Sequence, residues 1–167
     1  LLPIHSAHAA SMASASLDWA NLQINLLSGN VSYSIDSYGS NVDATIYRNN
    51  SSYIELARDY DFASDWTTAI SANATHAVGS AESTANTANQ SAHATANFAD
   101  YISSASSGRS ASISFTGTGL VEITVPYTLF AISDAVNPGD IGYANSSVSL
   151  SVSFYSHEIG RAACRER

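Results

Sequence analysis

Residues Ser110–Phe130, SASISFTGTGLVEITVPYTLF, decide how the chain is read. Apolar side chains recur at every second position: Ile113 and Phe115, then Val121, Ile123, Val125, Tyr127 and Leu129. Ser112, Ser114, Thr116, Glu122 and Thr124 stand between them. A period of two, rich in β-branched and aromatic residues, predicts strand with one buried and one wet face. Gly117-Thr118-Gly119 allows a test by parity. A two-residue loop would turn the two apolar rows to opposite sides. A three-residue loop sets Phe115 opposite Val121 and Ile113 opposite Ile123, with Gly119 in the left-handed conformation. The expectation is a β-hairpin at the centre of an antiparallel sandwich.

Working outward, the same alternation recurs on both sides. Ala13, Ala15, Leu17 and Trp19 alternate, then Leu22, Ile24 and Leu26 continue in the other parity, so a bulge or break is expected near Ala20-Asn21. Gly29-Asn30 reads as a turn. Val31, Tyr33 and Ile35 form the next strand, and Tyr38-Gly39-Ser40-Asn41 reads as another turn before Val42, Ala44 and Ile46. Residues 53–66, YIELARDYDFASDW, read as a short strand plus loop. Thr67–Tyr101 is ambiguous: Ile70, Ala72, Ala74, His76 and Val78 alternate, while Ala81, Ala85, Ala88 and Ala92 also fit helical spacing. The intervening Ser, Thr and Asn compete for backbone hydrogen bonds, which favours two small-residue strands and leaves room for a short helix within 60–100. Asp134–Tyr143 is a loop around Pro138-Gly139, and Val148, Leu150, Val152 and Phe154 make the last strand. Roughly eight strand signals at this spacing predict an all-β, antiparallel β-sandwich, Ig-like or jelly-roll-like.

The chain has 167 residues, 14 acids, six arginines, no lysine and a formal charge of −8. That balance argues against nucleic-acid binding, which needs a basic footprint, and against basic attachment to an anionic membrane. No membrane insertion is expected within the domain. Low charge with abundant Ser, Thr, Asn and Ala is the composition of a secreted β protein. Ala7-His8-Ala9 has the form of a signal-peptidase site behind apolar Leu1–Ile4, so residues 1–9 are read as the remnant of a cleaved signal peptide. Residues 10–157 form a single sandwich domain. Residues 158–167, EIGRAACRER, hold three of the six arginines and the only cysteine, Cys164. They resemble a translated sequencing adaptor and are read as a non-native tail, which takes Cys164 out of any chemistry.

The lysine-free Ala/Ser/Asn pattern, the Trp19-x-x-Leu22-x-Ile24 strand and Phe115–Gly119, FTGTG, resemble bacterial exported proteins of the PEP-CTERM, exosortase-sorted type. The resemblance covers about Ala10–His157 in style and lacks the sorting signal itself. It implies a secreted or cell-surface protein of the exopolysaccharide or biofilm matrix, with extracellular polysaccharide or other surface proteins as partners.

Candidate chemistry is sparse. A hydrolytic triad would have to use His76 or His93, neither in a nucleophile-elbow context, and a sheet-surface histidine is the alternative. Glu55 with Glu122 could serve a glycosidase, but nothing fixes their separation. Asp59, Asp61 and Asp65 in one block, with Asp134 and Asp140 elsewhere, suit calcium, though without EF-hand spacing. Tyr53, Tyr60, Phe62 and Trp66 beside acids and Arg58 suit a carbohydrate platform; the competing reading places Phe62 and Trp66 in the core. The expectation is therefore a non-catalytic surface or matrix protein without a cofactor, and the alternative is a carbohydrate-binding module, calcium-stabilised or not.

Overall fold

A computed structural model describes residues 10–48, 54–98, 100–134 and 143–155. Eleven strands are laid down in order: β1 (Ala10–Asp18), β2 (Gln23–Gly29), β3 (Ser32–Arg48), β4 (Ile54–Ala63), β5 (Ile70–His76), β6 (Gly79–Ala85), β7 (Asn89–Ala96), β8 (Tyr101–Thr116), β9 (Gly119–Thr124), β10 (Tyr127–Asp134) and β11 (Tyr143–Tyr155). A five-stranded antiparallel sheet, β10-β1-β7-β6-β5, stacks on a four-stranded sheet, β11-β8-β3-β4, and β2 pairs with β9 as a separate ribbon. The fold is the expected all-β sandwich, with one departure from antiparallel order: β11 runs parallel to β8.

The central hairpin does not form. β8 and β9 lie in different sheets, and each finds its partner about ninety residues upstream: Phe115 pairs with Tyr33, Ile113 with Ile35, Val121 with Leu26 and Ile123 with Ile24. Together β1–β10, β2–β9 and β3–β8 make one long antiparallel ribbon that leaves the first sheet, bridges and enters the second. It bends twice. At the lower bend Asp18 caps a 3-10 turn over Trp19–Asn21, accepting from the Asn21 amide, and this turn produces the change of parity near Ala20-Asn21. At the upper bend Gly29 and Gly117 adopt φ of 83° and 97°, which only glycine does cheaply. The Asn30 amide bonds the Thr118 carbonyl there, and the Thr118 amide bonds the Asn30 side chain. Gly117, not Gly119, takes the left-handed conformation.

Two other expectations change. Tyr38–Asn41 is no turn; β3 runs through it, with a bulge between Ile35 and Ser37 absorbing the irregularity. The ambiguous stretch yields three strands, β5, β6 and β7, and no helix of four residues or more lies among the described residues. Its alanines line the interior: Ala72, Ala74, Ala81, Ala85, Ala92 and Ala94 are buried against Val42, Ala44 and Ile46 of β3 and Ala105 of β8. Short side chains on both inner faces let the two sheets approach closely.

Candidate ligand-binding face

β3 alternates inward Val42, Ala44 and Ile46 with outward Asn41, Asp43 and Thr45. Because partners in register share a face, the outward row of β4 is Arg58, Tyr60 and Phe62. Tyr60 is 66% and Phe62 75% exposed, the most open aromatic pair on this sheet among the described residues. Two residues apart on one strand, they leave it on the same face with Cα atoms about 7 Å apart. Two rows cross the sheet from β4 to β11: Phe62, Asn41, Gly108, Ser149 and, beside it, Tyr60, Asp43, Ser106, Ser147. Gly108 is the low point; the Asn41 Oδ1 would stand 2.6 Å, and the Ser149 Oγ 3.2 Å, from a Cβ placed there.

Electrostatics fix the Tyr60 end of the second row. Arg58 donates to Asp43 Oδ2 from Nε at 3.1 Å and Nη2 at 2.8 Å, while Thr45 donates its hydroxyl to Asp43 Oδ1 at 2.7 Å. The guanidinium carbon lies 5.7 Å from the Tyr60 ring centroid. The Asp43 carboxylate, through its hydrogen bond and then its charge, holds Arg58 above its usual pKa. The result is an exposed aromatic pair flanked by a fixed charge pair, an amide and hydroxyls on the outer face of the sheet.

The remaining sequence candidates fall elsewhere. Tyr53 lies outside the described residues. Trp66 follows β4 and closes one end of the sandwich, half-buried, with its indole nitrogen donating to Gly39 O and Ser110 O at 3.2 Å each. It packs against Trp19 at 5.2 Å and Tyr38 at 5.6 Å, so it belongs to the core's end wall. The Arg109 guanidinium sits between Trp19 and Trp66, 5.0 and 5.6 Å from their rings, and donates to the Trp66 and Asn86 carbonyls. Burial pulls its pKa down from the usual value.

The three aspartates do not converge. Asp59 accepts from the Asn73 amide of β5, and Asp61 from its neighbour's amide at Phe62. Asp65 accepts four bonds from the amides and hydroxyls of Thr67 and Thr68, which hold its pKa at about 2. No group of three or more His, Cys, Asp or Glu side chains placed to hold a metal occurs among the described residues. As placed, these aspartates therefore do not fit a calcium cradle, which draws six to eight oxygens together. His76 accepts from the Val78 amide, and His93 stands opposite Glu82 on the outer face of the five-stranded sheet.

Sequence reasoning named Tyr60 and Phe62, which the structure leaves exposed on one face, but not Asn41, Asp43 and Ser106, which only the strand register brings beside them. Among the described residues no helix is long and apolar enough to cross a membrane. Compared with known proteins, the chain matches no family model, no curated protein and no solved structure.

Proposed function

We propose that the protein is an exported, non-catalytic structural component of a bacterial cell surface or polysaccharide matrix. The observation that carries this reading is the hydroxyl tiling of the sandwich. Ser80 bonds Thr95 at 2.8 Å, Thr84 bonds Ser91 at 2.9 Å and Ser32 bonds Thr116 at 2.8 Å, all across strands. Such ladders stabilise sheet pairs without charge, and a lysine-free chain of net charge −8 remains hydrated without sticking to polyanions. The style of exosortase-sorted surface proteins is consistent with it. Fractionating producing cells tests the proposal: the protein is expected in the envelope or matrix fraction, and confinement to the cytosol would remove it.

The aromatic pair on β4 favours a second reading, a carbohydrate-binding module. Sugar rings stack on exposed aromatic faces while amide, carboxylate and hydroxyl groups meet their hydroxyls. Tyr60 and Phe62 would supply the stacking, and Asn41, Asp43 and Ser106 the hydrogen bonds. A glycan array separates the two: binding lost in Tyr60→Ala/Phe62→Ala with an unchanged melting temperature supports the module, and a blank array for the unaltered protein rejects it.

A further inference from the structure

β10 sits at the edge of the five-stranded sheet but has the sequence of an interior strand. Among the described residues its only ladder partner is β1. Tyr127 and Leu129 share the face that β1 uses for buried Leu17 and Ala15, yet each is 66% exposed, because β11, the outermost strand of the opposing sheet, lies over β1 and β7 and stops short of β10. On the other face Phe130 is 49% and Ile132 55% exposed. The row of apolar residues expected from the sequence to be buried through Tyr127 and Leu129 is therefore open.

Edge strands of monomers are normally blunted by lysine, proline, a bulge or an inward charge. Pro126 precedes the strand and Asp134 ends it, but Tyr127–Ser133 between them contains none of these, and its register with β1 is unbroken. Taking about 180 Å² for a large apolar residue, Tyr127, Leu129, Phe130 and Ile132 leave about 420 Å² of apolar surface open over the two faces of β10. A standard interface buries about 800 Å² per partner, of which roughly 56–65% is apolar, or about 450–520 Å². The open apolar surface of this one strand comes close to that requirement.

We propose that β10 is a self-association edge, pairing antiparallel with β10 of a second copy about a two-fold axis. A second copy is the occupant that the available area favours, and the charge pattern says where on the chain such a contact costs least. Two copies of a chain of charge −8 repel each other over most of their surface, and Tyr127–Ser133 is an uncharged stretch where self-contact carries no such cost. Pairing joins two five-stranded sheets into one of ten strands, and the overhanging Tyr127 and Leu129 of each copy pack on those of the other. The inference does not depend on export or glycan binding.

Sedimentation of the full chain, carrying Cys164→Ser to remove tail disulfides, tests it between 1 and 100 μM. A dimer is expected, with its dissociation constant raised at least tenfold by Phe130→Lys on one face and, separately, by Leu129→Lys on the other; Phe130→Lys stands alone should Leu129→Lys fail to fold. In the same background, single cysteines at positions 128–131 are expected to cross-link only next to the two-fold axis. A monomer throughout, including one that then takes a strand from a different protein, overturns the proposal, as does a dimer indifferent to both lysines.

Discussion

Gly29→Ala is the sharpest test of the long ribbon, because a local hairpin at residues 117–119 would give Gly29 no role. Three terms add. An alanine at φ of 83° costs about 1–2 kcal/mol. Its Cβ would overlap the Thr118 carbonyl oxygen across the ribbon, so the two backbones must part; relief of such overpacking costs about 1–3 kcal/mol. Parting them weakens the Asn30 amide to Thr118 carbonyl bond, worth about 1 kcal/mol. The stiffer unfolded chain returns about 0.4–1 kcal/mol. The net expectation is a loss of about 4 kcal/mol, or a fall in melting temperature of roughly 8–16 °C for a domain of this size. Urea unfolding followed by fluorescence of Trp19 and Trp66 measures it. Gly39→Ala is the control: φ there is ordinary and the nearest atom to a new Cβ, the Ala63 carbonyl oxygen, stands at 3.4 Å, so a change within about 0.5 kcal/mol is expected. A Gly29→Ala protein as stable as the Gly39→Ala control would refute the ribbon.

The small-residue interior gives a second expectation. Ala94 is fully buried in β7 between the sheets, so Ala94→Leu should cost about 1–3 kcal/mol or more by overpacking, read by the same urea titration. Asp65 supplies a pH dependence. Its folded pKa of about 2 lies below the unfolded value of 3.8, so its contribution is present above pH 4 and fades as pH falls toward 2. Asp65→Asn should flatten that part of the stability–pH profile, and an unaltered slope would show that the Thr67 and Thr68 bonds do not act on its ionisation.

Alternation legibly marks strands but not their partners. Ala13–Trp19 and Leu22–Leu26 show opposite parity in the sequence, and the 3-10 turn at Trp19–Asn21 supplies the physical cause. The alanines of β5 to β7 read as strand because Ser and Thr stand between them, and they are buried as alternation requires. The hairpin misled because parity is a local condition that several distant pairings also satisfy: Ile24 and Leu26 offer Ile123 and Val121 the same apolar face that Ile113 and Phe115 would have offered. Gly39 reads as a turn because glycine usually marks one, yet here the Trp66 indole takes its carbonyl and the strand continues. In the candidate site the aromatics show in sequence as a cluster. What separates outward Tyr60 and Phe62 from Asp59 and Asp61 is strand parity; what separates them from Trp66 is the end of β4.

An interior lined by alanine should slide, since small flat faces fit one another in many registers. Polar side chains crossing the gap remove that freedom. Ser83 of β6 donates to the Asp43 carbonyl of β3, and Ser107 of β8 donates to the Thr84 carbonyl of β6. Gln90 of β7 is fully buried and fully satisfied: its amide donates to the carbonyls of Ser107 and Ser149, and its oxygen accepts from the Trp19 indole. Each of these bonds joins one sheet to a particular carbonyl of the other, or the core to its end wall. A shift by two residues would preserve the apolar pattern but strand these groups, at about 1–3 kcal/mol for each left unpaired. Arg109 acts in the same way at the end wall, holding the Asn86 and Trp66 carbonyls between two indoles. In this sandwich alanine sets how close the sheets come, and the buried serines, Gln90 and Arg109 set where they stop.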